Sequence, residues 1–216
     1  MSCFPLTYSL SPIAYGPIFF AFTILLLLKY LMIPRIKERL AAYKPQDIHC
    51  VRSVWAGVVI PIYEVNNDLY IILTKRAQTV RYHKGEVSFP GGMFEEEDGD
   101  RMATAIRECC EEIGVKEKDM EILGRIDDIY TMTGFCVRPY VGVIPFPYTF
   151  RTNPTEVAYI ISLPFRFLRD VKPGLEEAER EGHSEKVPSF YYEGDRIWGA
   201  TCRMLLRLRR IALGTI

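Results

Sequence analysis

The sequence predicts an α/β domain preceded by one N-terminal transmembrane helix. Three observations carry that prediction. No side chain from Met1 to Leu28 is charged, several later segments have β-type composition between turn residues, and an amphipathic stretch from Arg101 to Ile113 ends at a glycine.

The first element is "IAYGPIFFAFTILLLLKYLMI", Ile13 to Ile33, apolar except for Lys29. At a helical rise of roughly 1.5 Å per residue it can cross a hydrocarbon layer roughly 30 Å thick. A cleaved signal peptide and a buried core helix are the competing readings, but a signal peptide carries its basic residues ahead of the apolar run. Here Lys29, Arg35, Lys37, Arg39 and Lys44 lie within it or follow it. The positive-inside rule then places the following domain on the cytosolic side. The expected organisation is a hydrophobic anchor over 1–33, a basic linker over 34–50 and a folded domain over 51–216, with the membrane as a partner.

Within that domain, strands are expected at Ser53–Tyr63 and Leu69–Arg76, joined by an Asn66-Asn67-Asp68 turn, and then at Glu121–Tyr130, Cys136–Pro145 and Val157–Leu163. A helix is expected over Arg101–Ile113, stopped by Gly114, and a second over Ala200–Leu213. The polar stretch Val171–Pro188 reads as a mobile loop.

Lys plus Arg equals Asp plus Glu, 27 each, which removes the basic field that holds a protein on nucleic acid. The six cysteines are scattered without a C-x-x-C pair, so they read as reduced thiols, neither a disulfide framework nor a zinc site.

The segment "RECCEEIG", Arg107 to Gly114, crowds Glu108, Glu111 and Glu112 into one helical turn, opposite an apolar side that includes Met102, Ala105, Ile106, Cys109 and Ile113. Carboxylates three and four apart repel by a few tenths of a kcal/mol per pair. An ordinary solvated acidic face is one reading. The other is a site for a hard divalent ion such as Mg²⁺ or Mn²⁺, which takes oxygen ligands and would relieve the repulsion. Upstream, "FPGG", Phe89 to Gly92, supplies a turn where backbone can approach a ligand closely.

The stretch Gly92 to Val115 resembles the signature of the Nudix hydrolases, a glycine, five residues, a glutamate, seven residues, then an REuxEExGu run in which u is aliphatic. Arg107, Glu108, Glu111, Glu112, Gly114 and Val115 match it, with Cys109 in an aliphatic slot. The front half departs: Asp98 stands where Glu is usual, and eight residues separate it from Arg107. A second block, "ILTKRAQTVRYHKGEVSFPGG", Ile72 to Gly92, resembles the extra motif of the coenzyme A diphosphatase branch. It matches at Leu73, Thr74, Arg76, Ala77, Arg81, Gly85 and Phe89 to Gly92.

The resemblance implies an α/β/α sandwich with a mixed sheet, and hydrolysis of coenzyme A or acyl-coenzyme A to 3′,5′-ADP and 4′-phosphopantetheine or its acylated form. It implies Mg²⁺ or Mn²⁺ on Glu108, Glu111 and Glu112, with Arg107 orienting those carboxylates. Glu112 and Glu156 are the candidates for general base, and Arg76, Arg81, Gly91 and Gly92 for substrate binding. His83 reads as structural, and Trp198, beside Ile197, as core. A hydrolase of another nucleoside diphosphate, such as NADH or ADP-ribose, is the alternative within the class. A membrane-tethered nucleotide sensor without turnover is the alternative outside it. Peroxisome and mitochondrion are the alternative placements that the branch allows.

Overall fold

Strand β1 (Val54–Val65) is the axis of the molecule. The computed structural model describes residues 31–48, 54–81, 83–180 and 183–215. The apolar run of β1 is buried on both faces, as a central strand of a covered sheet must be. It pairs in parallel with β7 (Phe135–Val143), from Val54 opposite Phe135 to Ile62 opposite Val143. On its other side it forms a hairpin with β2 (Asp68–Arg76). The expected turn is there: Asn66 and Asn67 both take positive φ, 51° and 63°, the geometry of a two-residue hairpin loop.

Away from that turn the two strands splay, and the chain between Val87 and Met93 fills the gap. β3 (Val87–Ser88) pairs with β2, and β4 (Gly91–Met93) pairs antiparallel with β1. β5 (Glu121–Arg125) and β6 (Ile129–Tyr130) both pair with β7, so the single strand expected over Glu121–Tyr130 is two, divided at Asp127 and Asp128. β8 (Val157–Pro164) covers the outer edge of β2.

Alternation along β1 sends Val58, Ile60 and Ile62 into one core and Val59 and Tyr63 into another. Helix α2 (Arg101–Ile113) packs on the second through Ala105, Cys109 and Ile113. Helices α1 (Met32–Ala42), α3 (Phe165–Asp170) and α4 (Gly199–Leu213) pack on the first. The expected α/β/α sandwich around a mixed sheet is therefore present.

The transmembrane helix is corrected. No helix among the described residues is long and apolar enough to cross a membrane. The end of the apolar run, Met32 and Ile33, instead opens α1, an 11-residue amphipathic helix whose Ile36 and Leu40 are buried in the core. Its first amides, of Met32 and Ile33, donate to the Glu64 carboxylate at 2.8 and 3.4 Å. With that helix go the membrane as partner and the membrane-anchored placement of the domain. Residues 1–30, where the rest of the expected span falls, lie outside the described residues.

The stretch expected as a linker is likewise built in. After α1, Tyr43 Oη and the Gln46 amide donate to Asp127 at 2.6 and 2.9 Å, and the Ile48 amide donates to Asp128 at 3.4 Å. The stretch Val171–Pro188, expected as a mobile loop, also differs. β9 (Gly174–Arg180) and β10 (His183–Tyr192) form an antiparallel pair there, extended by β11 (Asp195–Trp198) into a second, three-stranded sheet.

Candidate active site

Helix α2 carries the acidic run, and its ends are fixed by local chemistry. Asp100 is its N-cap, accepting from the Met102 and Ala103 amides at 2.8 Å each. Gly114 takes the left-handed conformation (φ 71°) that closes the last turn. A Cβ on Gly57 would lie 2.1 Å from the Arg101 carbonyl oxygen, so glycine at that place lets α2 lie directly on β1.

The helix is rotated relative to the sequence expectation. Glu112 does not share a solvated face with its neighbours; it is 2% exposed, whereas Met102 is 38% exposed. Glu108 is partly buried, and Glu111 points outward. A cavity of about 640 Å³ opens beside α2, and Glu108 and Glu112 line it together with Glu156, Arg76 and Arg81. Gly91 and Gly92 form part of the same wall, whereas Glu111 does not.

Each member has an identifiable support. The NPTEV segment is tied to the end of α2 by the Asn153 amide, which donates to the Glu112 carbonyl at 2.9 Å, and to the end of β2 by the Ala77 amide on the Glu156 carbonyl at 2.8 Å. These two bonds bring Glu156 to Glu112. A Cβ on Gly92 would fall 2.3 Å from the Glu108 carboxyl, so the glycine leaves the space that this carboxylate occupies.

Burial pushes Glu112 up to about 8; Arg76 opposes the shift, while Glu108 and Glu156 add to it. Burial likewise raises Glu108, against the pull of Arg107. Arg76 Nη1 lies 3.6 Å from Glu112 Oε1. Glu112 Oε2 and Arg76 Nε are buried with no hydrogen-bond partner among the described residues.

Asp98, the departure from the motif, is the anchor of Arg107. Its carboxylate accepts from Arg107 Nε at 2.7 Å and Nη2 at 3.0 Å, and from Thr104 Oγ1 at 2.8 Å. The remaining nitrogen, Nη1, donates to Glu108 at 2.8 Å and to Glu111 at 3.2 Å. Arg107 thus orients two of the three helical carboxylates, and the repulsion among them is answered by a guanidinium. The aspartate's shorter reach and the extra residue before Arg107 belong to one local arrangement, a short turn at Glu96–Asp98 closed by Gly99.

Does a divalent ion suit these residues? Among the described residues no three His, Cys, Asp or Glu side chains gather closely enough to define a metal site by themselves. Yet the chemistry of the set fits one: oxygen donors, a buried carboxylate oxygen without a partner among the described residues, and carboxylates raised by burial, with the charge of neighbouring carboxylates adding to it.

Two residues read as bland in the sequence lie on the cavity wall, His83 and Trp198. His83 takes a positive φ of 56° and its Nδ1 lies 3.1 Å from Glu86 Oε2. Ile197 is the core residue of the pair, fully buried, and Trp198 points the other way. Strand alternation after Ile197 is the signal that would have separated them.

Comparison with known proteins gives one family. The NUDIX domain matches residues 54–185. A NudL protein of Photorhabdus laumondii, described as an uncharacterized Nudix hydrolase, is 32% identical over 154 residues, covering 71% of this chain and 82% of its own. Its counterpart in Yersinia enterocolitica is 34% identical over 154 residues, with 71% and 78% covered. Among solved structures, a NUDIX hydrolase of Alicyclobacillus acidocaldarius is 20% identical, with a TM-score of 0.47 over 56% of this chain and 83% of that one.

Proposed function

From the premise that this chain belongs to the Nudix hydrolase family and cleaves a phosphoric anhydride in a nucleoside diphosphate-linked substrate, we propose that the substrate is coenzyme A or its acyl derivatives. The products are 3′,5′-ADP and 4′-phosphopantetheine or its acylated form. One observation supports this reading above the others. The block Ile72–Gly92, which resembles the coenzyme A diphosphatase motif, sends Arg76, Arg81, Gly91 and Gly92 to the wall that also carries Glu108, Glu112 and Glu156. Cations for a diphosphate thus face carboxylates for a metal and a proton.

Arg76 and Arg81 bind phosphate oxygens, for which the guanidinium fork is suited. The absence of side chains at Gly91 and Gly92 lets the diphosphate approach the backbone. Water attacks one phosphorus, the bridging P–O bond on the far side breaks, and the attacking water gives its proton to a cavity carboxylate. Glu112 and Glu156 are the two candidates for that acceptor. Glu108 and Glu112 on the cavity wall would hold Mg²⁺ or Mn²⁺, with Glu111, off that wall, joining them through water, and Arg107, fixed by Asp98, keeping Glu108 and Glu111 in place. When bound, the ion supplies Lewis acidity toward the phosphate oxygens and lowers the pKa of water.

The test is a comparison of kcat/KM on coenzyme A, NADH and ADP-ribose with the full chain and Mg²⁺ or Mn²⁺. The reading requires coenzyme A to be the best of the three. A higher value on NADH or ADP-ribose would replace the substrate, and absence of turnover on all three would remove the reading.

A further inference from the structure

We propose that Trp198 is the platform on which the nucleobase of the substrate stacks, an assignment that rests on the reading above only in requiring a nucleotide-linked ligand. Trp198 ends β11, and its indole lines the cavity that holds the catalytic carboxylates. Arg196, two residues earlier and on the same face of the strand, places its guanidinium carbon 4.5 Å from the indole centroid. Arg196 is not among the residues that line the cavity, whereas Trp198 is. That cation is itself held. It pairs with Glu176 of β9, which also accepts from the Ser189 hydroxyl of β10. The indole is therefore braced by a chain of polar contacts running through all three strands of the second sheet, while Trp198 itself stands on the cavity wall.

The chemistry selects the ligand group. A braced, half-buried indole gains stacking energy from a planar π system and little from a flexible aliphatic arm, and base–aromatic stacking tolerates any base. At about 640 Å³ the cavity also exceeds what a diphosphate alone fills, leaving room for a nucleoside beside it. Trp198 itself lies beyond residues 54–185, whereas β9 and the start of β10 lie within them.

The chain has two tryptophans, so Trp55→Phe makes Trp198 the sole reporter in the full-length protein. Its emission is titrated in Mg²⁺ with 3′,5′-ADP, with 5′-AMP and with 4′-phosphopantetheine. Both nucleotides should quench it saturably and phosphopantetheine should not. Trp198→Leu should weaken nucleotide binding about 10-fold, within the range for loss of one base–aromatic stack, and Trp198→Phe should retain most of the affinity. Emission unchanged at 3′,5′-ADP concentrations that inhibit turnover, or quenched by phosphopantetheine alone, would overturn the assignment. The titration keeps Trp198 itself, so it decides even if Trp198→Leu does not fold. Coenzyme A left intact while nucleotides still quench would remove the proposed substrate and keep the platform; coenzyme A cleaved with Trp198 silent would do the reverse.

Discussion

Replacing Asp98 by Ala removes the partner that aims Arg107. The pair has two parallel hydrogen bonds, at 2.7 and 3.0 Å, and the Asp98 side chain is only 6% exposed. Hydrogen bonds to charged groups contribute about 1.5–3 kcal/mol each, and losing one partner of a well-buried pair costs about 3–5 kcal/mol. Arg107 is 30% exposed and keeps Glu108 and Glu111, which puts the expected loss at the lower end, about 3 kcal/mol. For a chain of this length that corresponds to a fall of about 6–12 °C in Tm. Turnover should fall about 10–100-fold, the range for groups that orient ligating residues, with a smaller change in KM.

The pH dependence of this loss has a definite sign. Arg107, with Thr104 and the Glu95 amide, holds the Asp98 carboxyl well below the usual carboxylate range. Its contribution is therefore full above the unfolded value of about 4 and lost as pH falls through the folded one. The difference between wild type and Asp98→Ala should be flat from about pH 5 upward and shrink below about pH 4. Urea denaturation of Asp98→Ala, Arg107→Ala and the double variant gives the coupling directly. A coupling below about 0.5 kcal/mol, with Tm unchanged in Asp98→Ala, would refute the clamp.

Other perturbations probe the remaining parts of the site. Gly92→Ala places a Cβ where the Glu108 carboxyl now sits, so kcat should fall about 100-fold while Tm changes little, because a flexible side chain end gives way; full activity would show that Glu108 need not hold that position. In chelator, Glu112 binds a proton in the folded state up to about pH 8 that the unfolded chain releases above about 4.3. Stability should therefore fall as pH rises between those values, and Glu112→Gln should abolish that slope in thermal melts. If wild type and variant keep the same slope, burial is not raising Glu112. Glu111→Gln removes a largely exposed pair with Arg107 and should change stability by at most about 1 kcal/mol, with Mg²⁺ titration reporting weaker activation.

Much of this site is legible along the chain because its parts are local. The end of α2 follows from Gly114 behind it, and the Asn66-Asn67 turn announces the first hairpin. What escapes the sequence depends on contacts between distant segments. Met32 and Ile33 read as the end of an apolar run, yet they open an amphipathic helix whose neighbour is Glu64. β9 carries Glu176, Glu177 and Glu179 with little apolar alternation, so its pairing with β10 leaves no periodic signal. Glu112 looks like its acidic neighbours until Arg76 and the NPTEV segment close over it. Asp98 fails a spacing rule yet succeeds in geometry, because the turn that precedes α2 brings its carboxylate to Arg107.

Phosphorus NMR of coenzyme A incubated with the full chain and Mg²⁺ follows its diphosphate signals directly. They should give way to phosphate monoester signals of 3′,5′-ADP and 4′-phosphopantetheine in equal amounts, with no change in chelator or with Glu112→Gln. Diphosphate signals that persist under conditions where the same preparation cleaves NADH or ADP-ribose would mean that the cavity takes another nucleoside diphosphate and not coenzyme A.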